Sequence, residues 1–271
     1  MYNPNEIIEM NKFSNLHDGQ KIFFCKTDYI ENFLIKLSKL NTEVILISGN
    51  SDYGVTDGLL HQKPKNVKYW FAANKTTQSN QVDVIPIGIE NTTPCSIGVN
   101  HGYVWSHAKE KHVILSQIKN KKPSKLIYSN FTIDEVRHSS RKKWKKISQD
   151  SEHITWNDSN LNYNDMCNQI LDHEAVLCPL GNKNVPEGDN HRVYEVLYCG
   201  RIPIVHCEDY YKKLYHLFPV ILIKENQLDI IADEDYIKHE IQKVKNKKFD
   251  PKYMNFSYWK ELILKAKENL K

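Results

Sequence analysis

Residues 173–207 read HEAVLCPLGNKNVPEGDNHRVYEVLYCGRIPIVHC, and the parsing of this stretch decides the fold. Ala175 to Pro179 is a short apolar run closed by proline, which predicts a buried strand. Leu180 to Gly188 is polar and broken by Gly181, Pro186 and Gly188, which predicts a loop. Asp189 or Asn190 is suited to cap a helix that carries Val193, Val196 and Leu197 on its buried face. Gly200 stops that helix, and Ile202 to Val205 opens the next strand. This order places the loop and the helix start at the carboxyl end of a sheet, where open α/β sheets bind ligands.

The residues at that position suit a phosphorylated ligand. The first turn of a helix offers unpaired N–H groups and a partial positive charge. His191 and Arg192 fall in that turn, where cations oppose the helix dipole at a cost of roughly 0.3–1 kcal/mol. A bound diphosphate reverses the conflict. Glu195 follows Arg192 by three residues, on nearly the same face, in a position to accept hydrogen bonds from ribose hydroxyls. The plainer alternative is an exposed Arg192–Glu195 surface pair.

From Cys178-Pro179 through Gly181-Asn182 to Gly188-Asp189-x-His191-Arg192-x-x-Glu195-x-Leu197-x-x-Gly200-x-Ile202-Pro203, the residues resemble the donor-site motif of exostosin-like glycosyltransferases. The resemblance implies a GT-B-like α/β fold, two facing Rossmann-like domains with the sugar nucleotide held mainly by the second. Weaker likenesses lie in Ser51-Asp52, in Ile85-Pro86-Ile87-Gly88-Ile89-Glu90-Asn91, and in Asn130-Phe131 with Arg137 or Arg141 downstream. The loop from Gly181 to Gly188 is longer than the family's, and Tyr194 stands where a tryptophan is often seen.

Composition bounds that reading. A chain of 271 residues accommodates one large domain or two small ones, and 37 basic against 33 acidic residues leave a mild net charge of +4. That excess does not call for nucleic acid, and Lys142 to Lys146 around Trp144 is too short a basic stripe for it. Lysine-rich runs are suited to touching an anionic membrane surface peripherally. No apolar run approaches the ~20 residues of a membrane-spanning helix. The start, MYNPNEIIEMNKF, has no signal-peptide pattern. The six cysteines lack zinc-ribbon spacing and predict reduced thiols in a cytoplasmic protein.

Taken in order, residues 1–20 predict a polar lead-in with a short helix at Glu6 to Asn11. Lys21 to Cys25 predicts a strand, Asp28 a helix cap, and Ile30, Phe33, Leu34 and Leu37 the buried face that follows. Glu43 to Ser48, Val67 to Ala72 and Val82 to Ile89 predict further strands of a parallel sheet, Pro86 marking an edge or an end. A Lys-rich helix from Lys109 reads as a solvated face and sets a boundary at 120, dividing the chain into 1–120 and 121–271. Beyond it come strands at 125–131, 153–157 and 219–224, and helices at about 133–149, 163–171 and 209–217. A helical tail follows, Asp233 to Lys245 and then Ser257 to Leu270.

Other patterns count for less. Glu187 and Glu195 have the E-x7-E spacing of many retaining GT-B enzymes, a spacing common by chance. Asp233-Glu234-Asp235 satisfies the metal-binding D-x-D pattern of GT-A enzymes, but stands before a helix whose dipole acidic residues complement. The twelve histidines show no H-x-x-x-H or H-E-x-x-H ligand pattern.

The resemblance therefore implies an inverting transfer from a nucleotide sugar, a UDP-sugar first, to a glycan or lipid-linked acceptor, with no metal or other cofactor required. Gly188, Asp189, Asn190, His191, Arg192 and Glu195, with Arg137 or Arg141, form the donor-site set. Asp52 is the candidate base in the acceptor-side domain, and Glu90 stands behind it. The alternatives are a nucleotide- or glycan-binding module without turnover and a metal-dependent GT-A enzyme.

Overall fold

The computed structural model describes residues 3–133, 139–180, 188–206 and 209–271. They form two α/β units. Of the described residues, the first comprises those within 3–109, 188–189 and 251–271, and the second those within 110–180 and 190–250. Each has its own parallel sheet, so the fold class is the two-unit, Rossmann-like α/β class expected of a GT-B-like chain, with helices at the end.

In the first unit the strands β1 (Ile22–Lys26), β2 (Val44–Gly49), β3 (Val67–Ala72) and β4 (Asp83–Val84) pair in chain order, all parallel. Every residue of β2 is buried, as a central strand covered on both faces requires. The helix α1 spans Met10–Ser14, α2 Ile30–Leu37 and α3 Asp57–His61. Ile30, Leu34 and Leu37 of α2 pack on Leu46 and Trp70 in the core. Asp28 does not cap α2; it lies in a 3-10 turn and pairs with Lys26 at 3.3 Å.

Two expectations fail here for related reasons. The first twenty residues are no lead-in, because Ile7, Ile8, Met10 and Phe13 are buried. The strand expected over 82–89 shrinks to Asp83–Val84. Beyond it Ile85 to Asn91 runs as irregular chain, and Ile89 N–H donates to the Ile8 carbonyl at 2.9 Å. Gly88, at φ +69°, lies so close to Ile8 that a Cβ would stand 2.0 Å from its carbonyl oxygen. The amino-terminal segment and the Ile-Pro-Ile-Gly stretch thus hold each other, a pairing that local periodicity cannot reveal.

The helix α4 (Ala108–Gln117) begins at the end of the first unit and continues into the second, where it leads to β5 (Lys125–Ser129), α5 (Ser139–Asp150), β6 (Ile154–Trp156), α6 (Tyr163–Asp172) and β7 (His173–Cys178). Then follow α7 (His191–Tyr198), β8 (Ile202–His206), α8 (Asp209–Tyr215), β9 (Ile221–Ile223) and α9 (Glu234–Asn246). The parallel strands run in the order β6-β5-β7-β8-β9. Chain order therefore reverses between β5 and β7, making their carboxyl ends the crevice in which such sheets take ligands. Trp144, Ile127, Ala175, Leu177 and Ile204 lie in the core. Asp233 accepts from the Tyr236 N–H at 2.9 Å and Glu234 pairs with Lys238 at 2.7 Å, so the acidic run caps α9.

The units are not the 1–120 and 121–271 halves read from the sequence. The crossing falls between Lys109 and Glu110, and the last helix, α10 (Phe256–Glu268), belongs with the first unit. Its Phe256 ring meets Phe13 at 5.1 Å, and the Ser257 N–H donates to Glu6 at 3.0 Å. No helix among the described residues is long and apolar enough to cross a membrane.

Candidate functional site

The site is built around α7. Asn190 holds an extended conformation and its side chain accepts from the Val193 N–H at 3.3 Å, capping the helix. Val193, Val196 and Leu197 are buried as their spacing requires. Gly200, at φ +67°, ends the helix in the left-handed conformation. Gly188 and Asp189 lead in and are buried; Asp189 accepts a hydrogen bond from the Ile87 N–H at 3.0 Å. His191 is half-buried in the first turn.

Arg192 and Glu195 meet as their three-residue spacing predicts, with Nε 3.1 Å from Oε2. They are not a surface pair. Glu195 is only 3% exposed, and its other oxygen binds Lys111 Nζ at 3.0 Å. Lys111 comes from α4 and lies 5.0 Å over the Tyr163 ring. Burial works against the charge on Arg192, but Glu195, with Cys178, Tyr163 and Tyr128 behind it, outweighs burial and strengthens its hold on the proton. The carboxylate is enclosed between two cations rather than open to a ribose. Sequence reasoning missed Lys111, because within a Lys-rich helix no local signal marks the lysine that turns inward.

Arg141 sits across the crevice between β5 and β7. Its Nε donates to the Leu180 carbonyl at 2.8 Å and its Nη1 to the Thr132 carbonyl at 2.6 Å, joining the chain that follows each strand. Burial, and after it the charge of Arg192, lower its affinity for the proton. An anion beside Arg141 would offset that loss. Arg137, Gly181, Asn182 and Glu187 lie outside the described residues.

A pocket of about 730 Å³ opens at the carboxyl ends of β5 and β6, lined by Asn130, Lys142, Lys146, Asn157, Asn160 and Arg192 among others. Asn130 Nδ2 donates to the carbonyls of Asn157 at 2.7 Å and Ser159 at 3.1 Å, fixing one wall. Phe131 packs edge-on to Trp156 at 5.1 Å, and Lys145 lies 5.2 Å over the Trp156 ring while pairing with Asp158. Lys142 and Lys146 share one face of α5 at the rim, and neither has an ion-pair partner among the described residues. Arg192 Nη1 is buried without a hydrogen-bond partner among them. Such a pocket attracts anions through charge that its walls leave unneutralised.

The proposed base residues lie in the first unit. Asp52 is exposed, three residues beyond β2. Glu90 is largely enclosed, its Oε1 4.0 Å from His107 Nε2. Among the described residues no group of three His, Cys, Asp or Glu side chains is placed to hold a metal.

The fold and this pocket define a two-unit parallel α/β protein with a basic pocket at the carboxyl edge of its second sheet, beside the β5–β7 switch point. No protein-family model matches the chain, and no curated protein matches it. Among solved structures it is similar to an α1,3-fucosyltransferase, with 13% identity and a TM-score of 0.33 over 90% of this chain and 67% of that one. A likeness that slight assigns no residue its role.

Proposed function

We propose that the chain is a glycosyltransferase that takes its sugar from a nucleotide-sugar donor, a UDP-sugar first, and passes it to a glycan or lipid-linked acceptor. The observation that carries this reading is Arg192, fixed by buried Glu195 at the first turn of α7 and facing a basic pocket at the carboxyl edge of a parallel sheet. A departing nucleoside diphosphate gains negative charge as the glycosidic bond breaks. A guanidinium and helix N–H groups held in place stabilise that charge without reorganising. His191 and Asn190 belong to the same turn. Glu195 enters as the carboxylate that orients Arg192, a different part from the ribose contact expected of it. Asp52, with Glu90 behind it, is proposed to accept the acceptor hydroxyl's proton.

Titration with UDP, GDP, CMP and TDP tests the reading. One of them, UDP first, is expected to bind and to raise the melting temperature, and Arg192→Ala to abolish the shift. Asp52→Asn is expected to keep that nucleotide affinity while turnover of the matching nucleotide sugar falls by about 10²–10⁴-fold. If none of the four binds, the donor-site reading fails. Full turnover by Asp52→Asn moves the base to Glu90.

A further inference from the structure

The carboxyl edge of the first sheet carries side chains that donor binding leaves unused. His101 Nδ1 accepts from the Lys26 N–H at 3.3 Å, at the end of β1. Its carbonyl accepts from Asn50 Nδ2 at 2.7 Å, just past β2. Gly102 follows, pressed so closely on Asn11 that a Cβ would stand 2.0 Å from Oδ1. Asn11 and Asn50 share a network with Asn91, whose Nδ2 donates to Asn50 Oδ1 at 2.9 Å and whose Oδ1 accepts from the Asn11 N–H at 2.8 Å. The backbone at 101–102 is therefore fixed.

From that root the chain displays Tyr103 and Trp105, which are 59% and 55% exposed. The Trp105 ring lies 6.1 Å from that of His107, and His107 stands beside Glu90, the residue before Asn91. Single exposed aromatics are ordinary. Here two follow directly on the anchored residues 101–102, with an imidazole and a carboxylate near the second.

A pyranose ring presents an apolar C–H face and a rim of hydroxyls. An aromatic face covers the first, while imidazole and carboxylate bond the second. An apolar peptide or a lipid tail would cover the charged Glu90 carboxylate and the polar His107 ring with nothing but hydrocarbon, at a penalty. A phosphorylated ligand would meet the carboxylate's repulsion.

We propose that Trp105, with the His107–Glu90 pair beside it, is a platform for a neutral saccharide, the acceptor of the transfer. Only the word acceptor rests on the transferase reading; saccharide binding does not. The test titrates the nucleotide-free protein with lactose, cellobiose and chitobiose, read by saturation-transfer NMR and tryptophan fluorescence. UDP affinity is measured in parallel on wild type, Trp105→Ala and Trp105→Phe. At least one disaccharide is expected to bind. Its Kd should rise about 3–10-fold in Trp105→Ala and largely recover in Trp105→Phe, with UDP affinity unchanged. Saccharide binding that Trp105→Ala leaves intact, or no binding by any of the three, overturns the platform, whatever UDP does. Trp105-dependent saccharide binding in a protein that ignores every nucleotide keeps the platform and removes the transferase.

Discussion

The side chain on which the proposed donor site turns is Glu195, because its burial changes what its loss would mean. A carboxylate enclosed between Lys111 and Arg192 neutralises charge that would otherwise be buried uncompensated. Breaking such a group from one side costs about 3–5 kcal/mol. We therefore expect Glu195→Ala to lower the unfolding free energy by that order and Glu195→Gln by less, since the amide keeps the volume and part of the hydrogen bonding. The same enclosure governs the ribose question. If Glu195 only positions Arg192, replacing UDP by its 2′-deoxy analogue should weaken binding equally in wild type and Glu195→Gln. A penalty that disappears in the variant would return the ribose to Glu195. The Arg192–Glu195 pairing was legible from three-residue spacing alone, since helix geometry brings i and i+3 together. Lys111 was not, because its partner is 84 residues away and nothing within α4 distinguishes it from Lys109 beside it.

At the level of elements, the sequence was most readable where burial is periodic and local. Every buried strand from β5 to β9 and the helix α7 were found from apolar runs and their punctuation. The stretch beyond Ile85, expected as strand to Ile89, was misread because Gly88 and Ile89 pair with Glu9 and Ile8 rather than with β3. The turn after α1 carries a similar long-range tie, and it has a pH signature. Burial works to raise the Asp18 carboxyl. The N–H of Ile22, the Lys267 ammonium and the N–H groups of Gln20 and Lys21 prevail and hold it well below the usual carboxylate range. A carboxylate depressed in the folded state stabilises above its unfolded pKa, roughly 3.9. That contribution is lost as pH falls from there through the folded value. Urea unfolding of wild type and Asp18→Asn should therefore differ most above about pH 5 and converge towards about pH 2. A stability difference independent of pH would show that the tie is not ionic.

For the whole molecule, the consequential fact is that the first unit is assembled from separated lengths of chain. The helix α10 closes it through Phe13–Phe256, Glu6–Ser257 and Asp18–Lys267, while Trp259, Ile263 and Ala266 are buried. Deleting residues 251–271 should therefore leave the second unit folded and the first one loosened. The expected result is lost near-ultraviolet dichroism and fast amide exchange in β1 to β3, with slow exchange kept in β5, β7 and β8. Slow exchange in both sheets after the deletion would contradict the assignment of α10 to the first unit. The two-half division read from the sequence came from a composition shift around the Lys-rich segment, which records where lysines gather and not where a later helix returns. This arrangement also sets an order of birth on the ribosome. Residues 110–250 are all synthesised before α10, a delay on the order of ten seconds at ordinary elongation rates. The earliest-made sheet must wait, its apolar face uncovered, while its downstream neighbour completes itself. A nascent chain with that history is a natural client for chaperones that cradle half-built domains.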